Sequence, residues 1–294
     1  TALEATECGI RWAFAPMMDI ARDPRWGRIA ESFGEDSFLA SEMAVAVTRG
    51  YQGSSLADPL SMAACAKHFV GYGAAEGGRD YNTTYIPRRA LYDTYFPPFK
   101  ACVEAGIASF MSSFNDNDGE PATGNRWLLT DVLRGEWGFD GMVVSDWGSV
   151  GGLVPHGSAA DKRDAARQCL TAGCDMDMMS YSYLRNLREL ISSGEIDITV
   201  LDEAVRRVLR LKARLGLLDS PYSRRAERTS LYSEAVLDTA CRLAEESSVL
   251  LKNDGVLPLG DGVRHVLVTG PMADAAYDQL GTWSLDGEKS RTVT

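Results

Sequence analysis

Short apolar runs alternate along this chain with longer amphipathic stretches, and that alternation leaves few folds open. Strand-length runs are predicted at Arg11–Ala15, Ser61–Ala66, Ile107–Ser112, Gly141–Ser145 and Cys174–Met178. Helices are predicted at Asp36–Gly50, Ala90–Ala105, Arg126–Trp137, Ala159–Ala172, Tyr183–Ser192 and Thr199–Leu215. Strands alternating with helices point to a parallel sheet covered by helices. Several boundaries carry their own mechanism. Asp36 can cap the helix that follows it. Gly106 and Gly173 stand where a helix ends in a left-handed residue. Thr199–Leu215 places Val200, Leu201, Ala204, Val205, Val208, Leu209, Leu211 and Leu215 at the helical period, and Gly216 stops it.

In a barrel of parallel strands, side chains at the C-terminal strand ends converge on one mouth. Two runs end in chemistry there. Gly141–Ser145 delivers Asp146-Trp147-Gly148, and Met62–Ala66 delivers Lys67-His68. The plain role of an aspartate after a strand is a helix cap or an Asx turn. Beside an indole, it also suits attack on the anomeric carbon of a sugar stacked on that indole. A lysine aimed inward from a strand needs a partner. It is read either as half of an ion pair or, with His68, as a hydrogen bonder for sugar hydroxyls. The run Arg22-Asp23-Pro24-Arg25-Trp26-Gly27-Arg28 reads mainly as an ion-pair knot, with one arginine free to grip hydroxyls through its rigid fork. The glycines of Phe69-Val70-Gly71-Tyr72-Gly73 lack the spacing of a phosphate-binding loop. Retaining glycoside hydrolysis needs two carboxyl groups. Glu76, Asp80, Asp116, Asp118, Asp175 and Asp177 are all placed for the second, and none carries a distinctive signal.

The totals exclude more than they assign. Apolar residues make up 45% of the 294, enough for a large core, and the net charge of -11 argues against nucleic acid and anionic membrane surfaces. No apolar stretch approaches the roughly 20 residues of a membrane span. The cysteines Cys8, Cys65, Cys102, Cys169, Cys174 and Cys241 form no C-x-x-C pair and read as buried free thiols, which suits a reducing compartment. No metal or organic cofactor is expected. Nothing in the sequence gives an oligomeric state. The polar segment 219–232, with Pro221, reads as a linker between a barrel over 1–218 and a second α/β unit over 233–294. In that unit a helix is expected from Ser233 to Glu246, with strands at Ser247–Lys252 and His265–Thr269. The chain opens at Thr1 in what reads as the tail of a helix and stops at Thr294 just after a new strand-and-loop pattern, so a piece of a longer protein is expected.

One ordered set of motifs carries a resemblance. It comprises Ala15-Pro16-Met17-Met18-Asp19-Ile20 with Arg22–Arg28, Glu31-Ser32-Phe33-Gly34-Glu35-Asp36, Ala66-Lys67-His68-Phe69 and Val144-Ser145-Asp146-Trp147-Gly148. Leu250-Leu251-Lys252-Asn253, Leu257-Pro258-Leu259 and Gly281-Thr282-Trp283-Ser284 follow. The chain resembles glycoside hydrolase family 3, in particular its bacterial periplasmic β-glucosidase branch, over essentially its whole length. The resemblance implies a (β/α)8-like TIM barrel lacking its first strand, followed by the start of an α/β sandwich domain, and a periplasmic or secreted location. It implies Asp146 as nucleophile, with Arg28, Lys67 and His68 binding the non-reducing glucose and Trp147 flanking the nucleophile. The substrate it implies is a β-glucoside or short β-glucan oligosaccharide. Two family features fall outside the chain: an N-terminal Gly-x-Asp-x-x-His-Gly motif and the glutamate acid/base of the second domain. Phe114 stands where many members carry a tyrosine whose hydroxyl touches the nucleophile. The alternatives are a β-xylosidase or β-N-acetylglucosaminidase of the same family, or a non-catalytic carbohydrate-binding barrel. The segment from Gly71 to Tyr85 holds Asp80 but no histidine, which counts against the β-N-acetylglucosaminidase branch.

Overall fold

In the computed structural model, which describes residues 1–222, 231–284 and 287–292, three of the predicted runs form ladders of one parallel sheet. The strands in chain order are β1 (Cys65–Phe69), β2 (Ser109–Ser112), the hairpin arms β3 (Asp116–Asn117) and β4 (Glu120–Pro121), and β5 (Met142–Val144). The sheet runs β1-β2-β5, with Ala66 beside Phe110 and Phe110 beside Val143. The outer two runs join it through single parallel bridges rather than full ladders. Trp12 pairs with Ala63 and Met17 with Lys67 on one side, and Val144 pairs with Met176 on the other. Backbone bonds continue past Pro16, from Cys65 N–H to Ala15 carbonyl and from Met18 N–H to Lys67 carbonyl. Pro16 has no N–H to give, so the ladder is interrupted there. Each segment lies beside its neighbour in sequence, the order of a singly wound barrel rather than of a sheet that reverses direction.

Alternate residues on the strands face opposite ways and both faces are covered. Ala66, Phe69, Phe110 and Val143 pack outward into the main core, while Cys65, Met111, Met142 and Val144 pack with Ala63, Ala108, Leu211 and Leu215 on the other side. The Phe69 ring is fully buried, 5.2 Å from Phe99 and 5.5 Å from Phe110. Cys65, Cys102, Cys169 and Cys174 are buried free thiols as expected, whereas Cys8 and Cys241 are exposed.

The helices are α1 (Ala2–Glu7), α2 (Ser37–Gln52), α3 (Arg88–Ala90), α4 (Pro97–Glu104), α5 (Ser149–Gly152), α6 (Lys162–Ala172), α7 (Ser182–Ser192), α8 (Ile198–Arg214) and α9 (Glu234–Glu246). A wide-turned π-type helix fills Trp127–Glu136. Asp36 caps α2 by accepting from Leu39 N–H at 2.7 Å, and Gly173 ends α6 with a φ of 108°. Asp161, rather than a residue near Ala159, caps α6 through Arg163 and Asp164 N–H groups. The helix expected over Ala90–Ala105 is broken into α3, a π-type turn at Leu91–Tyr95, and α4. Pro97 and Pro98 cause the break, because neither can donate to the preceding turn. The hairpin β3–β4 was not expected, although Asp118-Gly119 at its tip, with φ of 55° and 83°, is a strong hairpin signal.

The chain divides into two compact units, Thr1–Ser233 and Glu234–Thr294. The linker expected at 219–232 ends at that division, and its residues 223–230 lie outside the described residues. In the second unit α9 forms as expected. The expected strands Ser247–Lys252 and His265–Thr269 do not form, and the two runs do not pair. Val249, Leu251 and Leu267 are 77%, 91% and 86% exposed. A strand is made by its ladder, since an extended segment without a partner leaves its N–H and carbonyl groups to water. No described helix is long and apolar enough to cross a membrane.

Candidate active site

Asp146 sits just beyond β5, where the chain is locked to the segment carrying Met176 and Met178. Ser145 N–H donates to Met176 carbonyl at 2.8 Å, Met178 N–H to Ser145 Oγ at 2.8 Å, and Gly148 N–H to Met178 carbonyl at 2.7 Å. Asp146 is not a helix cap, because Gly148 occupies that place before α5 without a side-chain bond. Its side chain is buried, and Oδ1 accepts from Trp147 N–H at 2.6 Å. Oδ2 has no hydrogen bond among the described residues. His68 Nε2 stands 3.2 Å from it, close enough to interact electrostatically but out of line for a hydrogen bond. Asp19 Oδ1 and Asp177 Oδ1 are likewise buried without a donor among the described residues, so the feature particular to Asp146 Oδ2 is the imidazole Nε2 facing it.

His68 is held from behind. The end of β1 buries it completely, and its Nδ1 lies 2.6 Å from Asp19 Oδ2, which also accepts His68 backbone N–H at 3.1 Å. Asp19 thereby fixes the ring so that Nε2 faces Asp146. This carboxylate was missed as a site residue, although the signal was present: Asp19 ends its own strand-and-loop run much as Asp146 does. The Tyr72 ring packs edge-on to His68 at 5.1 Å, and the buried Trp26 packs edge-on to Tyr72 at 5.2 Å.

The arginine run separates into a surface pair and an inward-turned residue. Arg25 pairs with Asp23 on the surface at 2.7 Å. Arg28 turns inward, grips Glu31 with its fork at 2.8 and 2.9 Å, and stacks over Tyr72 at 5.4 Å. Gly78 lets this loop approach closely: a Cβ there would meet the Arg25 carbonyl carbon and Trp26 nitrogen at 2.6 Å, at a φ of 69°. Trp147 is 64% exposed, and its hydrogen bond to Asp146 is made by its backbone N–H.

Electrostatics tie these residues together. Burial pushes the Asp146 carboxyl above its ordinary pKa, against the pull of His68, the Trp147 N–H, Arg28 and Lys67. Burial and the neighbouring Arg28 draw the Lys67 ammonium below its ordinary value, against Glu31 and Asp146. Burial works against the Arg28 charge, yet Glu31 and Tyr72 hold its pKa above the ordinary value. Arg28, Lys67 and His68 therefore all act electrostatically on one buried carboxylate.

The six other candidate carboxylates do not join it. Asp80 accepts from Trp26 Nε1 at 3.0 Å, and Asp116 lies 2.9 Å from His156 Nδ1. Asp175 is clamped by Arg134 at 2.7 Å, Arg207 at 2.8 Å and Val143 N–H at 2.8 Å. Asp177 accepts from Ser180 Oγ and Tyr183 N–H. Glu76 and Asp118 are exposed. Phe114, in contact with Tyr72 at 5.4 Å, has no hydroxyl to offer Asp146. No group of three His, Cys, Asp or Glu side chains among the described residues is placed to hold a metal ion.

The glycosyl hydrolase family 3 N-terminal domain matches residues 1–211. The chain belongs to glycoside hydrolase family 3. It is 43% identical over its whole length to a periplasmic β-glucosidase of Salmonella typhimurium, of which it spans 39%. It is 37% identical to a β-xylosidase of Formosa agariphila, with 98% of this chain and 42% of that protein aligned. A Listeria innocua β-glucosidase solved with laminaribiose superposes with a TM-score of 0.86 at 46% identity, covering 88% of this chain and 37% of that one. A β-glucosidase of saponin metabolism from intestinal bacteria gives a TM-score of 0.92 at 39% identity over 97% of this chain and 38% of its own. The chain thus spans about two fifths of these relatives. As in family 3, the first unit is a TIM-like α/β barrel domain.

Proposed function

We propose that the protein to which this chain belongs is a retaining, exo-acting β-glucosidase of the periplasmic or secreted kind. The reading rests above all on the buried carboxylate of Asp146 just beyond β5, with its Oδ2 faced by His68 Nε2 at 3.2 Å. Asp146 attacks the anomeric carbon as the bond to the aglycone breaks, giving a covalent glycosyl-enzyme that water then hydrolyses. Arg28, Lys67 and His68 hold the hydroxyls of the terminal glucose, and Trp147 flanks the ring. The acid/base that protonates the leaving oxygen is proposed to lie outside this chain, since the candidate carboxylates within it are engaged elsewhere or exposed. The relatives named as β-glucosidases, and the laminaribiose in the Listeria structure, favour glucosides over xylosides. The proposed enzyme has a barrel over 1–218, a linker over 219–232 and, from 233 onward, the start of a second α/β unit.

Treating the full-length protein with an activated 2-deoxy-2-fluoro-β-glucoside is expected to esterify Asp146 and stop turnover. Mass spectrometry that finds the label on another residue removes the assignment, and binding without any label favours a lectin-like barrel. Preferential hydrolysis of aryl β-xylosides over aryl β-glucosides moves the enzyme to the β-xylosidase branch.

A further inference from the structure

The glycines of Phe69-Val70-Gly71-Tyr72-Gly73 cradle no phosphate, and the loop they shape seats one residue, Tyr72. Gly71 stands just beyond β1 with a φ of 88°, a left-handed turn that glycine adopts without strain. A Cβ at Gly73 would meet the Ile20 carbonyl oxygen at 2.6 Å, so the loop presses directly on the backbone that follows Asp19. Between the two glycines, Tyr72 is fully buried.

Tyr72 touches two candidate sugar-binding residues at once. Its ring lies edge-on to His68, with centroids 5.1 Å apart. The Arg28 guanidinium sits over the same ring at 5.4 Å. A cation within about 6 Å of an aromatic face is attracted to it, most strongly where water is excluded. Arg28 is therefore fixed twice, by Glu31 on its fork and by the ring beside its charge. Trp26 supports Tyr72 edge-on at 5.2 Å, and Asp80 holds Trp26 through Nε1 at 3.0 Å. The Tyr72 hydroxyl does less. It is buried with no hydrogen-bond partner among the described residues. Burial and Asp80 push it above its ordinary pKa and Arg28 pulls against them, but neither side chain is aligned to bond it. The contacts with the site belong to the ring.

We infer that Tyr72 is a positioning residue, whose ring holds Arg28 and His68 together where they receive the terminal glucose. The inference rests on the β-glucosidase reading and adds to it the group that keeps two sugar-binding side chains in register. The experiment measures kcat and KM for an aryl β-glucoside with the full-length protein and its variants. Tyr72→Phe keeps the ring and is expected to stay within about threefold of wild type. Tyr72→Met fills the space without a flat face, and is expected to lower kcat/KM about tenfold, mainly through KM. In an Arg28→Met background the same change is expected to cost much less, because the cation held by the ring is gone. Equal losses in both backgrounds mark a merely structural role and overturn the inference. A Tyr72→Phe loss as large as that of Tyr72→Met moves the role to the hydroxyl and overturns it as well. A second series decides the matter even where Tyr72→Met does not fold. Replacing Tyr72 by phenylalanine with one, two and three ring fluorines weakens the pull on the cation at nearly constant shape. The value of kcat/KM is expected to fall stepwise along that series. A flat series overturns the inference and leaves the β-glucosidase reading standing, whereas wild-type protein that hydrolyses no aryl β-glucoside overturns both.

Discussion

At the scale of single residues, two carboxylates decide what this site can do, and they lie on opposite sides of one imidazole. Asp146 is penalised for being charged. A carboxyl whose folded-state pKa is raised contributes stability in full below its unfolded value near 3.8, and that contribution is lost as the pH rises through the folded value. At neutral pH the ionised Asp146 therefore destabilises the fold. Asp146→Asn is expected to abolish hydrolysis and to unfold at a higher temperature than wild type at pH 7, with the gap closing as the pH falls toward about 4. Thermal midpoints of the two proteins across that range check it, and a less stable variant at pH 7 contradicts it. Asp19 acts through His68. Asp19→Asn keeps the shape but removes the charge behind Nδ1, and is expected to lower kcat/KM about 10- to 100-fold while the protein stays folded. Steady-state kinetics beside circular dichroism measure both outcomes. Asp146, Lys67 and His68 were legible in the sequence because each ends a strand-length apolar run. Asp19 was harder to find because Pro16 interrupts its ladder, so the run reads as strand and loop.

At the scale of elements, the placement of Asp146 depends on how the strand beneath it is anchored. Asp175 bonds Val143 N–H and is clamped by Arg134 from the helix at Trp127–Glu136 and by Arg207 from α8. One buried carboxylate thus joins a strand and two helices. Asp175→Ala leaves both guanidiniums without it, and breaking a buried pair in this way costs about 3–5 kcal/mol. Urea denaturation is expected to show that loss, and a change below about 1 kcal/mol would contradict the role given to Asp175. Element identity in the barrel was readable from periodicity, whereas interruptions were not. The prolines at 97 and 98 opened a wide turn inside what reads as one helix, and the Asp118-Gly119 hairpin was hidden by arms too short to show alternation.

At the scale of the whole molecule, the two units differ in kind. The barrel unit buries its strands on both faces, while α9 has no buried residue and the apolar runs after it are exposed. A segment of that composition exposes more apolar surface than an isolated soluble domain ordinarily shows. Residues 234–294 expressed alone are expected to bind a hydrophobic dye and to melt without a cooperative transition. A sharp calorimetric peak from that piece would show a core of its own. The failed strands carry the physical lesson: apolar sequence marks a segment as suited to burial, but only a neighbouring strand turns it into one. By itself the sequence determined the α/β class, the order of strand-like runs and helices, the nucleophile candidate and the family, because these are local patterns and ordered motifs. Only the tertiary structure decided that Asp19 aims His68 at Asp146, that Asp175 serves as an anchor, and that Asp116 pairs with His156. Each of those depends on residues far apart in the chain meeting in a dry interior, where a charge must find a partner and sequence spacing does not say which.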